Sequence, residues 1–504
     1  MSNEAEKNAG IAAFAGATRE GVVYLPGTLV RALAGALALP LLSIFLVPAD
    51  IGRYDLTARF VEFLNVLCAF WLGMAIVRYH PSPEQQSERG AFLDAVGTIQ
   101  TVGIAIGLLL VASAYFVVSE DYRSLLLAAG AMFIGYALFQ TGLMMLRAKS
   151  MAGSYSVSLM VSSVGRLMVG IPLALVLGVN GLLWGAAFIY FGLFLAVASR
   201  HFTLPKLRIS TRQRQFLREM LHFGLPMGLG AVMAFFLNNG DRYILQQLRS
   251  NAEVGLFAVG SQFGEQPLFV IYSSLMLAAF PAASRAFDGL GRRSTEDLVR
   301  SMTRTYLLMS APIAALLIVL ARPFFGMFPD AYVSSGAVMP WIAFATFLQG
   351  LSQYPTLGLL VTKRTRTLFA VNTVVVLANL GANALLIPHF GFSGCGVSRT
   401  VANTLLLLLI AAATCKTFTW RLPVASFLRI LAAATATGAA VYAAYSLVPT
   451  PVPLPVAFAA LTAMSCLGIS LYVTLLIVLR ELKLVDVTTK VRAVLRRSRV
   501  APPV

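Results

Sequence analysis

The sequence predicts an all-α polytopic membrane protein of about 14 transmembrane helices, and three observations carry that prediction. The chain of 504 residues is 58% hydrophobic and only 12% charged, whereas a soluble domain carries about 25% charged residues. Its apolar residues fall in runs of roughly 20 or more, the length needed to cross a hydrocarbon core about 30 Å thick. Its cations are in excess, 39 Lys and Arg against 21 Asp and Glu for a formal charge of +18, and they gather between alternate runs. The first observation excludes a soluble enzyme.

The first 21 residues are polar and of mixed charge (Glu4, Glu6, Lys7, Arg19, Glu20). They lack the basic start, short apolar core and small-residue site of a cleavable signal, so 1–21 is expected to be a cytoplasmic tail. Runs bounded by charges, Pro, Gly or Asn then give spans at about 22–47, 55–77, 91–118, 123–146, 155–177 and 182–199. After a basic linker at 200–221 come 222–244, 255–280, the Pro-rich 304–326, 337–361, 367–388 and 395–415. Two further spans, 427–448 and 456–479, precede a basic tail at 480–504.

The positions of Lys and Arg set the orientation. Joints on one side hold Lys7 and Arg19, Arg78 and Arg89, Arg147 and Lys149, and six residues between Arg200 and Arg218. The same side holds five between Arg285 and Arg304, then Lys363, Arg364 and Arg366, then Lys416, Arg421 and Arg429, and seven from Arg480 onward. The opposite joints hold only Arg53, Arg123 and Arg249. Thirty against three places the richer side, and both termini, in the cytoplasm by the positive-inside rule. The charge excess is therefore mostly topology, and no nucleic-acid partner is needed to explain it.

Cys68, Cys395, Cys415 and Cys466 lie in or at the ends of spans, where cysteine behaves as a small hydrophobe. His80, His201, His222 and His389 share no motif. No metal site, cofactor motif or catalytic constellation is expected.

An internal repeat organises the spans. PADIGRYDLTARFVEF from Pro48 aligns with NAEVGLFAVGSQFGEQ from Asn251, pairing Gly52 with Gly255, Tyr54 with Phe257, Phe60 with Phe263 and Glu62 with Glu265. Gly178 and Gly181 are echoed by Gly391 and Gly394. Such echoes predict a duplicated six-helix unit. The lobes are expected at 22–199 and 222–415, with 416–479 as an added helix pair. Six is even, so both copies keep one orientation and the repeat axis lies along the membrane normal.

Charges inside spans cost about 2.5 to 3.5 kcal/mol each on insertion scales and tend to face protein or a watery cavity. Arg31, Arg59, Glu62 and Arg166 occupy such positions in the first half; Asp241, Arg242, Glu265 and Arg399 do so in the second. Guanidinium presents a rigid fork to phosphate oxygens, so Arg31, Arg166, Arg59 and Arg399 are candidates for an anionic headgroup. Glu62 and Glu265 occupy matching repeat positions and are candidates for coupling to a proton or sodium gradient. Asn65, Asp241, Arg242 and Gln262 are expected to add polar cavity lining. Arg322 lies near a span end, where it can snorkel, and Asn372, Asn379 and Asn383 suit helix–helix hydrogen bonds. Pro26, Pro40, Pro226 and Pro267 are positioned to kink their helices.

Four segments carry a family resemblance: LVPADIGRYDL at 46–56, HFGLPMGLGAVMAFFLNNGDRYIL at 222–245, EVGLFAVGSQFGEQPLFVIYSSLMLAAFP at 253–281, and TKRTRTLFAVNTVVVLANLGANALLIPHFGFSGCGVSRT at 362–400. The chain resembles the polysaccharide transporters, Wzx-type flippases, of the multidrug/oligosaccharidyl-lipid/polysaccharide exporter superfamily. Ser398 and Arg399 depart from the family's small apolar residues at those positions. The resemblance implies a flippase, not an enzyme, in the bacterial inner membrane. Such a protein moves polyprenyl-diphosphate-linked oligosaccharides for exopolysaccharide, O-antigen or capsule to the outer leaflet by alternating access, beside a polysaccharide polymerase and chain-length regulator. Two alternatives share the fold: a flippase for lipid-linked peptidoglycan precursors, and a multidrug exporter, which the deep arginines disfavour. A polymerase or ligase would need larger outer segments than joints of about four to ten residues.

Overall fold

The computed structural model describes residues 26–482, apart from 28–29, 32, 36, 40, 82–86, 202–209, 416–417 and 448–453. The tails expected at 1–21 and 480–504, all but three residues of the latter, and the middle of the 200–221 linker lie outside the described residues. Those described are helical, with no strand among them. In chain order the helices are α1 (Pro48–Tyr79), α2 (Arg89–Val117), α3 (Glu120–Ala148), α4 (Ala152–Leu177), α5 (Val179–Arg200), α6 (Thr211–Leu248) and α7 (Asn251–Gly289). They continue as α8 (Gly291–Val319), α9 (Met339–Val361), α10 (Thr365–Phe390), α11 (Phe392–Thr414), α12 (Val424–Ser446) and α13 (Pro455–Val478).

Among the described residues 12 helices are long and apolar enough to cross a membrane, and α9 joins them when taken with the turn Asp330–Ala337, to which it is bent by 42°. Together these match the second to the fourteenth expected spans. The first, 22–47, is described in part, with an apolar helical stretch over Leu33–Ser43. The protein is a multi-pass membrane protein. Its surface fits a hydrocarbon solvent, for Phe116, Val117, Val176, Leu177, Leu385 and Leu467 are all exposed, an arrangement that water would penalise.

Local sequence explains where helices start and break. Pro48 occupies the first turn of α1, where its missing N–H costs nothing, and Asp50 adds a favourable charge there. A π-helical turn at Val66–Phe70 interrupts α1. Ser210 and Gln213 form a reciprocal capping box that starts α6. The helices run on through Pro226 and Pro267, whereas α7 and α8 separate at Gly291, whose φ of +80° suits a residue without Cβ. Arg322 falls in a separate short helix, Ala321–Phe325, beyond the end of α8.

By compactness the chain forms two units, residues 1–258 and 259–504. The first has one core around Leu64, Phe133, Phe139 and Leu183. A second core, around Trp71, Phe92, Phe216 and Met220, holds α6 against α1 and α2, with the Trp71 ring seated in the notch left by Gly224 and Gly228. The second unit is built around Tyr306, Leu351, Tyr354 and Phe418, with the Tyr306 hydroxyl donating to the Phe347 carbonyl at 2.7 Å.

The repeat is written in the backbone of each unit. Gly178 ends α4 with φ +57°, and Gly391 ends α10 with φ +56°. The amide of Gly178 donates to Ala174 O and that of Gly391 to Ile387 O. Gly181 and Gly394 let the next helix lie against Leu173 and Leu386 carbonyls respectively, with no room for a Cβ. A second pair of joints matches as well: Ser150 and Lys363 both take a positive φ, +54° and +56°. The following amides, of Met151 and Arg364, reach back to Leu146 O and Leu359 O, the long bond of a Schellman ending.

Candidate functional site

The first unit gathers the charges that the sequence singled out. On α1, Asp55, Arg59 and Glu62 follow at helical spacings of four and three and so share a face. Arg59 Nη1 donates to Glu62 Oε2 at 2.7 Å, and its Nε lies 3.4 Å from Asp55 Oδ1. From α6, Arg242 Nε donates to the other Asp55 oxygen at 2.7 Å, and Arg242 Nη1 lies 3.5 Å from Asp241 Oδ1. Asp55, Asp241 and Arg242 are buried, so each charge needs the others. Carbonyl and amide oxygens of Asn238 and Asn239 take further donors of Arg242, and the guanidinium covers the Phe257 ring at 5.2 Å. Asn65 is buried one turn beyond Glu62, its Nδ2 unpartnered among the described residues.

Arg166 of α4 approaches the same region differently. Its Nε donates to the Ser162 carbonyl at 3.2 Å, and its guanidinium stands 5.3 Å from the centre of the Tyr190 ring. Tyr54 and Tyr136 also lie within its field. Tyr136, in turn, feels the charges of Arg31 and Glu62. Arg31, Arg59, Glu62 and Arg166 thus surround a cluster of three tyrosines. Among the described residues neither Arg31 nor Arg166 has a carboxylate partner, whereas Arg59 and Arg242 do. Arg31 is exposed and Arg166 half-buried, and guanidiniums without a carboxylate partner offer a place for an anion.

The second unit holds a different arrangement. Arg399 Nη1 lies 3.2 Å from Glu265 Oε2, with the arginine side chain buried and the carboxylate partly exposed. These two candidates neutralise each other instead of offering a free cation. Gln262, half-buried one turn before Glu265, stands where the repeat has Arg59. Shifted by the spacing of Gly178 to Gly391, Arg166 corresponds to Asn379, which accepts a 3.1 Å hydrogen bond from Asn383. Amides therefore replace guanidiniums, and the anion-attracting character belongs to the first unit. Among the described residues no group of three or more His, Cys, Asp or Glu is placed to hold a metal ion.

Sequence reasoning missed Asp55, Tyr54, Tyr136 and Tyr190. Asp55 was hidden by the expected start of its span at 55. With α1 starting at Pro48, that residue lies two turns inside the helix, and its spacing of four from Arg59 was the available signal. The tyrosines lie on α1, α3 and α5, and only the fold brings them together.

Comparison with known proteins places this geometry in context. A family model described as polysaccharide biosynthesis protein matches residues 17–287. Comparison with curated proteins gives no match. Among solved structures, a lipid II flippase MurJ in an inward closed conformation is similar at TM-score 0.74 and 17% identity, covering 91% of this chain and 99% of that one. An inward-facing multidrug resistance MATE family transporter of the MOP superfamily is similar at TM-score 0.59 and 13% identity, over 79% and 98% of the two chains. A mutant form of the Vibrio cholerae MATE transporter VcmN gives 0.53 and 14% over 80% and 99%. At these identities the likeness concerns the fold.

Proposed function

The chain belongs to the polysaccharide biosynthesis protein family, and we propose that it is a flippase for polyprenyl-diphosphate-linked oligosaccharides, destined for exopolysaccharide, O-antigen or capsule. The observation that carries this reading is the pair of uncompensated arginines, Arg31 and Arg166, beside Tyr54, Tyr136 and Tyr190. A diphosphate supplies the negative charge that these guanidiniums lack, and Arg59 can exchange a carboxylate for a phosphate oxygen as the headgroup enters. The headgroup passes from the cytoplasmic to the outer leaflet of a bacterial inner membrane by alternating access, and a polymerase and chain-length regulator would take it up there. Glu62 and Glu265 are the proposed points of coupling to a proton or sodium gradient, with no cofactor needed.

Deleting the gene in its own host should abolish the surface polymer and leave lipid-linked oligosaccharide in the inner leaflet. The wild-type gene should restore export, and an Arg31→Ala/Arg166→Ala variant that reaches the membrane should not. Normal export by that variant would sink the assignment.

A second reading, transport of a lipid-linked peptidoglycan precursor, is supported by the fold likeness to the lipid II flippase. It shares the diphosphate chemistry. Rescue of cells depleted of their own lipid II flippase would select it, and failure to rescue favours the polysaccharide substrate. A multidrug exporter of cationic compounds suits the arginine cluster poorly.

A further inference from the structure

At the end of the first unit that the cation count assigns to the outer side, a cavity of about 410 Å³ opens between α1, the end of α2, the start of α3 and the end of α6. That volume is within the range of about 300–1,000 Å³ usual for small-molecule sites. Its walls present Phe60, Tyr122 and Tyr243, the amides of Gln246 and Gln247, and the hydroxyl of Ser119, and no lining residue carries a formal charge. We propose that this cavity is a subsite for a neutral pyranose, one sugar unit of the transported headgroup. The inference rests on the transport reading and deepens it by giving the glycan a place of its own.

The chemistry of the walls selects the ligand. A pyranose has apolar C–H faces and a rim of hydroxyls, each of which donates and accepts. Aromatic rings with polar tips cover the faces, and a carboxamide offers a donor and an acceptor side by side for adjacent hydroxyls. Among the described residues neither Gln246 nor Gln247 is hydrogen-bonded through its side chain. Ser119 is the N-cap of α3, yet its side chain makes no capping hydrogen bond, although serine there ordinarily does. Its hydroxyl is left to the cavity. Tyr122 is held in place by donating to Asn251 Oδ1 at 2.6 Å, which leaves its oxygen free to accept. An acyl chain would desolvate both amides without pairing them, and an anion would find no cation in the wall.

The cavity also backs onto the charged network. Tyr243 lies in the field of Asp55, Arg59, Arg242 and Glu62, so the ring lines the neutral cavity on one side and meets the charged network on the other. This is the order of groups in a lipid-linked sugar, where a neutral ring adjoins the diphosphate.

The test uses the full chain in lipid nanodiscs free of glycoside detergent, with the methyl glycosides of glucose, galactose and N-acetylglucosamine as probes. Saturation-transfer NMR should detect binding of at least one. Affinity should fall about tenfold or more, as two lost hydrogen bonds imply, in Gln246→Ala/Gln247→Ala. Ala114→Phe, which fills the cavity from its wall, should abolish binding. No transfer from any glycoside, or equal transfer in wild type and variants, overturns the proposal. A protein that restores polymer export but binds none of the glycosides overturns the subsite and leaves the transport reading standing. One that binds them without restoring export supports the subsite and counts against that reading.

Discussion

Gly52 and Gly255 meet backbone to backbone, and the contact is reciprocal. A Cβ on Gly52 would overlap the carbonyl of Asn251, and a Cβ on Gly255 would overlap that of Pro48. Each glycine's absent side chain also faces the other's amide nitrogen. These are residues that the repeat pairs, and within the first unit they bring the starts of α1 and α7 together. Gly52→Ala and Gly255→Ala should each destabilise the protein by roughly 1–3 kcal/mol through overpacking. Because both act on one contact, the double variant should cost less than the sum. Thermal unfolding in nanodiscs measures this; additive losses would mean that the two glycines act at independent sites and not at one shared contact.

The buried Asp55–Arg242 pair makes a second prediction. Removing one partner leaves a buried charge uncompensated, which costs about 3–5 kcal/mol. Arg242→Ala, which strips Asp55 and Asp241 of their shared partner, should therefore be more damaging than Asp55→Ala/Arg242→Ala, whereas Asp55→Ala leaves Arg242 its contact with Asp241 and should cost least. A double-mutant cycle on unfolding reads the coupling, and a value near zero would dismiss the network as ornamental.

Coupling through the carboxylates is tested by the driving gradient. Transport by Glu62→Gln and by Glu265→Gln should lose its dependence on an imposed proton or sodium gradient in reconstituted vesicles. The second variant also releases Arg399 from its ion pair, so its basal rate should fall further. An unchanged response to the gradient would rule out these positions as the coupling points.

Just past the end of α13, Glu481 ties three helices together. It accepts from Arg304 Nε at 2.6 Å and lies 3.4 Å from Arg429 Nη1. Burial pushes its carboxyl up, but hydrogen bonds from Ser426, Arg304 and Arg429 outweigh burial and hold it below the usual carboxylate range. A folded-state value below the unfolded one means stability that is present above the unfolded pKa, about 4.3 for glutamate, and lost as pH falls through the folded value. Wild type should thus be more stable than Glu481→Gln at neutral pH, by roughly 1–3 kcal/mol, with the gap closing below about pH 4. A gap independent of pH would contradict this.

Particular residues show what the sequence revealed of the fold. Spans with uniform apolar runs were legible because lipid demands length and hydrophobicity and little else. Gly178 with Gly391 revealed the repeat because a helix ending at positive φ favours glycine, whereas Ser150 and Lys363 take a positive φ without that signature. The start of α1 was misplaced because Asp50, Arg53 and Asp55 read as a polar joint, although Pro48 and Asp50 are helix-start signals. Depth alone marked Arg31, Arg59 and Arg166. Tyrosine on three separate helices carries no spacing signal, and the pairing of Arg399 with Glu265 spans 134 residues, a distance that no local pattern reaches.

The most direct measurement is the affinity of the full chain in nanodiscs for a polyprenyl diphosphate, compared with the corresponding polyprenol. Wild type should prefer the diphosphate by about 100-fold, since two charge-assisted contacts of roughly 1.5–3 kcal/mol each correspond to that factor or more. In Arg31→Ala/Arg166→Ala the preference should collapse to near unity while polyprenol binding is retained. A double variant that still prefers the diphosphate as strongly as wild type would contradict the assignment of these arginines to the headgroup.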